Sequence, residues 1–261
     1  MTITNEEYHA DPAISASHLK AVMQSPYHYW SRYVDPDRKP VEPTAAMKLG
    51  SLAHCAILEP DELLQRYGVT PDRRSTAGRA AAEQMAAEGI EAVTSSDMAL
   101  ALSMAAAVRN HSAASALLQT GKAEQSFWWD DLSSGLRCKC RPDWYFGSTV
   151  VDIKTTTDAS PQAFARSVAT FAYHVQAAHY LAGLHGAERF VFVAVEKTYP
   201  HAVAVYELDA DALALGRTTR DNALDVIAGC RAADVWPGYS DTVQTLSLPR
   251  WATNPIQTET F

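Results

Sequence analysis

At 261 residues, 47% apolar and 20% charged, the chain has the balance of an ordinary globular protein and can bury a substantial core, in one large domain or two small ones. Its four cysteines are too scattered for a disulfide framework. No apolar run approaches the roughly 20 residues needed to span a bilayer, and the N-terminus lacks signal-peptide character, so a cytoplasmic protein with no membrane partner is expected. With 22 basic against 30 acidic residues the net charge is −8, which disfavours a polyanion held by the general field, so a nucleic-acid ligand would need a local basic surface or a metal site.

In chain order, residues 15–33 read as helical on both sides of a break at Pro26. A proline-rich loop follows at 35–43, then a helix from Thr44 to Leu58 that ends before Pro60. A polar loop is expected at 68–78, and alanine-rich helices at 78–88 and 95–118. The pattern then changes. "AEQSFWWDDLSSGLRCKCRPDWYFGSTVVDIKT" reads as three consecutive strands, with turns at Asp131–Gly135 and Gly147-Ser148. A helical stretch over 160–184 opens with Ser160 as N-cap and Pro161 at the first helical position. "RFVFVAVEKTYPHAVAVYEL" supplies two more strands, and a last helix spans Asp209 to Cys230. The expected fold class is α/β: a central mixed sheet of about five strands flanked by helices, with a helical N-terminal part.

Gly147-Ser148 suits a two-residue II′ turn, which takes Gly first. That turn pairs Phe146 with Thr149, Tyr145 with Val150 and Trp144 with Val151, and it sets Asp143 opposite Asp152. Opposed side chains share a face, with Cβ atoms ~4.5–5.5 Å apart. Alternation adds Lys154 to that face, while Trp144, Phe146, Val151 and Ile153 point into a core. Two facing carboxylates repel, and a proton, the lysine or a hard divalent cation must offset them; carboxylates and waters are what Mg²⁺ takes from proteins. Arg137, Lys139 and Arg141 share the parity of Asp143, so a basic stripe is expected to lead to the carboxylates and hold a DNA backbone, with Tyr145 stacking on a terminal base. Cys138 and Cys140 fall on the opposite face as small core residues.

Pro142-Asp143 followed by Asp152-Ile153-Lys154 resembles the PD-(D/E)xK nuclease signature. "GSLAH" (Gly50 to His54) is similar to the GxxxH motif of the RecB-like branch, Glu124 to the acidic residue before its catalytic hairpin, and "QAAHY" (Gln176 to Tyr180) to its QxxxY motif. The wording "GLRCKCRPD", "DIKTT" and "YHVQAAHY" resembles the RecE-type exonuclease VIII nuclease domain of phage and prophage recombination systems over roughly residues 45–240.

That resemblance implies one nuclease domain over residues 1–261, with a helical part at 1–120 and a catalytic core at 121–235. It implies an Mg²⁺-dependent, ATP-independent exonuclease, Mn²⁺ substituting, that degrades one strand of linear double-stranded DNA from the 5′ end and leaves 3′ overhangs. Its partner would be a single-strand annealing protein of RecT or Bet type, and its assembly a homo-oligomeric ring, tetrameric in preference to trimeric. Carried over, His54, Asp143, Asp152 and the Ile153 carbonyl are metal ligands and Lys154 is the catalytic lysine. Glu124 stands behind the ligands and supports them, or sits on a second metal, and Gln176 and Tyr180 orient the site and the DNA end. An endonuclease or an iron–sulfur nuclease on the same fold, or a non-catalytic DNA-binding module, are the alternatives; the cysteines do not form an iron–sulfur pattern.

Overall fold

The computed structural model describes residues 3–39, 41–71 and 74–249; positions 40, 72 and 73, in the two expected loops, lie outside the described residues. The helical part begins with α1 (Asn5–Ala10), which a Thr4–Glu7 capping box starts. Next come α2 (Ala16–Gln24) and α3 (Pro26–Tyr33), which divide at Ser25-Pro26 as expected. The helix α4 (Ala45–Leu58) is capped by Thr44. Beyond it lie α5 (Leu63–Arg66), β1 (Tyr67–Val69), α6 (Thr76–Ala87), β2 (Glu91–Val93), α7 (Ser95–Asn110) and α8 (Ser112–Leu117). The short strands β1 and β2 pair in parallel across α6.

The second part supplies β3 (Lys122–Ala123), β4 (Phe127–Asp130), β5 (Arg137–Cys140), β6 (Trp144–Phe146) and β7 (Thr149–Thr156). It continues with α9 (Pro161–Thr170), α10 (Tyr173–Gly183), β8 (Arg189–Glu196), β9 (Val203–Glu207) and α11 (Ala210–Ala233). The central sheet has five strands in the order β3-β6-β7-β8-β9. Only β7 and β8 run parallel, so the sheet is mixed. Val151 and Ile153 of β7 bury against Leu52, Ala53 and Ala56 of α4 and Met104 and Val108 of α7. Val150, on the other face, packs with Phe164 of α9, Ala177 and Tyr180 of α10, and Phe190 and Phe192 of β8. Helices thus cover both faces of the strand that carries Asp152 and Lys154.

The β6–β7 hairpin has the expected register: Trp144 pairs with Val151, Tyr145 with Val150 and Phe146 with Thr149. Gly147 takes a positive φ of 53° at the first turn position, which glycine adopts without a steric penalty.

The expected middle strand, by contrast, is broken. Pro142 has no N–H to give a ladder, and the chain bends there. Upstream of the bend, β5 leaves the central sheet and pairs with β4, with Ile14 bridging to Cys138 on its other edge. Arg137 and Lys139 therefore do not share a strand with Asp143, and their parity with it carries no spatial meaning. Cys138 and Cys140 are buried, as expected, but so is Lys139 between them. The N-terminal segment covers that side: the Ile14 N–H donates to the Arg137 carbonyl and the Lys139 N–H to the Ile14 carbonyl, both at 2.8 Å. The expected helical stretch at 160–184 is also divided, by Ala172 in the left-handed region (φ 51°).

Candidate active site

Asp143 lies in the bend between β5 and β6. Its side chain crosses to the neighbouring strand, where Oδ2 accepts the Ile153 N–H at 2.7 Å. Asp152, one residue back on β7, is 1% exposed. Its Oδ1 accepts from Gln176 Nε2 at 2.7 Å, and its Oδ2 is ion-paired with the Lys154 ammonium. Gln176 and Tyr180 stand one turn apart on α10. The Tyr180 hydroxyl donates to the Arg141 carbonyl at 3.2 Å, which fixes the backbone just ahead of Pro142-Asp143. One helix face thus positions both carboxylates: Asp152 through a side chain, Asp143 through the chain that carries it.

From the opposite layer, α4 brings His54, whose Nδ1 is 3.5 Å from Asp143 Oδ2. Glu124, just after β3, completes a group. His54, Glu124 and Asp143 each present one ligand atom, all within 4.8 Å of one another. Glu124 has a left-handed backbone (φ 50°), which costs a non-glycine residue energy, and its N–H donates to the Asp143 carbonyl at 3.2 Å.

Burial, and then the Asp143 charge, push the Glu124 carboxyl up to about 8. Burial likewise raises Asp152, with Lys154 opposing and Asp143 adding to the rise. At Lys154 burial works against the ammonium, but Asp152 and then Asp143 more than offset it, so its pKa lies above the ordinary lysine value. The site therefore carries more carboxylate than its one tightly paired lysine can neutralise. Carboxylate oxygens with an imidazole are a donor set that suits a divalent cation, and the geometry of His54, Glu124 and Asp143 fits one.

Of the expected ligands, His54 and Asp143 come together, and Glu124, expected either behind the ligands or on a second metal, joins them. Asp152 stands alongside, its oxygens turned to Gln176 and Lys154. Ile153 presents its N–H to Asp143, with its side chain in the core.

Of the basic stripe, only the Arg141 charge is felt at this site, opposing the rise at Glu124, and all three side chains are engaged elsewhere. The Lys139 ammonium is held by the Tyr8 carbonyl, by the Asp11 carbonyl at 2.7 Å, and by the Tyr8 ring at 4.5 Å. Arg141 donates from Nε to Ser126 Oγ at 2.8 Å, from Nη1 to Asn5 Oδ1 at 3.3 Å and from Nη2 to the Ile3 carbonyl at 3.3 Å. Both side chains staple the N-terminal segment to β5. Arg137 is exposed and pairs with Asp130 at 3.1 Å. The Tyr145 ring packs edge-on against Phe127, 5.6 Å between centroids, at the margin of the α9–α10 core.

A basic residue that the motifs do not contain does reach it. Lys20 of α2 lies over the Tyr173 ring, which Lys154 also faces. No spacing in the sequence links α2 to β7, so nothing local announces this.

The family described as "PDDEXK-like domain of unknown function (DUF3799)" matches residues 15–249 of this chain. No curated protein matches it. Among solved structures, one from Eubacterium rectale, described as a "Putative exonuclease", superposes with a TM-score of 0.68 at 14% identity, covering 95% of this chain and 97% of that one. At that identity the likeness is one of fold. The structure of SSO0001 superposes with a TM-score of only 0.30 at 19% identity, over 68% of this chain and 86% of that one, and carries no argument.

Proposed function

Since this chain belongs to the PDDEXK-like domain family, DUF3799, we propose that it is a metal-dependent, ATP-independent exodeoxyribonuclease. It degrades one strand of linear double-stranded DNA from 5′ to 3′ and leaves 3′ overhangs for single-strand annealing. The observation that carries the hydrolytic reading is the meeting of Asp143 with His54 and Glu124 beside an Asp152–Lys154 pair.

The cofactor we infer is Mg²⁺, with Mn²⁺ as a substitute, held by His54, Glu124 and Asp143 with Asp152 beside them. When bound, such a cation polarises a phosphoryl oxygen and makes water a stronger nucleophile. The rest is the work of the chain. The Ile153 N–H fixes the Asp143 carboxylate, and Gln176 fixes Asp152. Asp152 keeps Lys154 protonated, so that an ammonium faces the reacting phosphate and offsets the charge developing on it. The Glu124 carboxyl, raised to about 8, would have to be deprotonated to serve as a ligand.

The RecE-type resemblance supports the 5′ polarity, a ring-shaped homo-oligomer (a tetramer before a trimer) and a RecT- or Bet-like annealing partner. The net charge of −8 agrees with a ring, because an acidic monomer holds DNA poorly through its general field. Linear duplex labelled at the 5′ or the 3′ end, with and without Mg²⁺, tests the activity. Prompt release of the 5′ label as very short products, only with the metal, is the expected result. Release of the 3′ label first overturns the polarity, and cleavage of closed-circular duplex overturns the exonuclease reading. Light scattering that gives a strictly monomeric mass, alone and with DNA, overturns the ring.

A further inference from the structure

Lys20 belongs to none of the motifs, yet its side chain ends inside the site. Its Nζ is 5.1 Å from the centroid of the Tyr173 ring, and Lys154 Nζ is 4.7 Å from the same centroid. Tyr173 is held in turn by Phe164, Phe171 and Phe192, with centroids 5.6–6.4 Å away. The two lysines thus share one rigid aromatic wall. Their charges are treated differently. Lys154 has Asp152 as its counter-ion. Lys20 is half-buried and makes no ion pair or hydrogen bond among the described residues. Burial, and then Lys154, pull its ammonium down to about 8, and Asp152 restores only part of the loss. A half-buried cation with no counter-ion among the described residues, beside a second one, favours the arrival of an anion.

The anion is not the group at the cation cluster. Lys20 and Lys154 meet over the Tyr173 ring, whereas the cation cluster is built from His54, Glu124 and Asp143. We propose that Lys20 holds the DNA phosphate next to the one that reacts, with Tyr173 as the wall it shares with Lys154. It is then a substrate-binding residue that sets the register of the strand.

This rests on the nuclease reading, and the test separates the two. Turnover of linear duplex with Mg²⁺, and equilibrium binding of the same duplex with Ca²⁺ in its place, are measured over a range of salt for the wild type and for Lys20→Met, Lys20→Gln and Lys20→Arg. The expected result is a KM and Kd raised about tenfold in the Met and Gln variants, more than any change in kcat. Their log Kd against log salt should be shallower by about one, the mark of one phosphate contact removed. Lys20→Arg should keep the wild-type slope. Soluble Met or Gln variants with the wild-type slope and Kd overturn the role of Lys20. A slope difference between the wild type and the Met and Gln variants, with no cleavage by the wild type, overturns the nuclease reading and leaves Lys20 a phosphate ligand.

Discussion

Gln176 Nε2 donates to Asp152 Oδ1 across 2.7 Å, and this bond joins α10 to the central strand at its most buried charge. A carboxylate that is 1% exposed has no water to fall back on. Removing its amide partner strands an oxygen, which costs about 1–3 kcal/mol. Gln176→Ala is therefore expected to lower stability by that amount in urea denaturation. It should also lower kcat, because Asp152 is then free to rotate. A variant with wild-type stability and rate would show the bond to be incidental.

The Asp152–Lys154 pair makes a sharper claim. Lys154→Met leaves a buried carboxylate facing an apolar side chain, a change that destabilises by about 3 kcal/mol. The double variant Asp152→Asn/Lys154→Met removes both charges and is expected to recover most of that loss while staying inactive. Denaturation of the two single variants and the double one forms a cycle. Strict additivity would mean the two groups do not interact.

Much of this site was legible in the sequence because its signals are local. Gly147-Ser148 dictates the hairpin register, and Gln176 and Tyr180 fall on one face by helical spacing alone. Thr4 and Glu7 also form a readable start signal for α1, one that the reading of the N-terminus passed over. The parity of Arg137, Lys139 and Arg141 failed because it assumed an unbroken strand through Pro142, a residue that argues against one. The burial of Lys139 under Tyr8 and Asp11, and the approach of Lys20 to Tyr173, are contacts between distant segments. No local periodicity encodes them.

Gly50 stands one turn before His54 on α4, and a Cβ built there would meet no atom within 4 Å beyond its chain neighbours and the local helix backbone. Packing therefore gives no reason for glycine, which costs about 0.8–1 kcal/mol against alanine in a helix interior. Gly50→Ala is expected to stabilise the fold by roughly that amount in thermal denaturation. If the open space is where the DNA backbone approaches, the same variant raises KM for linear duplex. A more stable protein with an unaltered KM would assign the space to solvent.

Glu124 links pH, metal and stability. Its folded-state carboxyl is raised from 4.5 to about 8, and burial raises Asp152 in the same direction. The unfolded chain gives up the Glu124 proton near 4.5, whereas the folded chain keeps it until about 8. Between those values the native state holds the Glu124 proton and the unfolded chain does not, so the contribution of Glu124 to the stability of the metal-free protein falls as pH rises. A divalent cation competes with that proton and binds only the folded form. Its stabilisation should therefore grow with pH, reaching about 2.7 kcal/mol at a hundredfold excess over Kd. Melting curves of the wild type and Glu124→Gln at pH 6 and pH 8.5, with and without Mn²⁺, check both signs: without metal the wild type should lose Tm relative to the variant as pH rises, and its metal-induced rise should be larger at pH 8.5. Glu124→Gln cannot ionise, so it should flatten the metal-free decline and lose most of the Mn²⁺ response together. A variant that keeps the full Mn²⁺ response would remove Glu124 from the ligand set and leave His54 and Asp143 to hold the cation with Asp152.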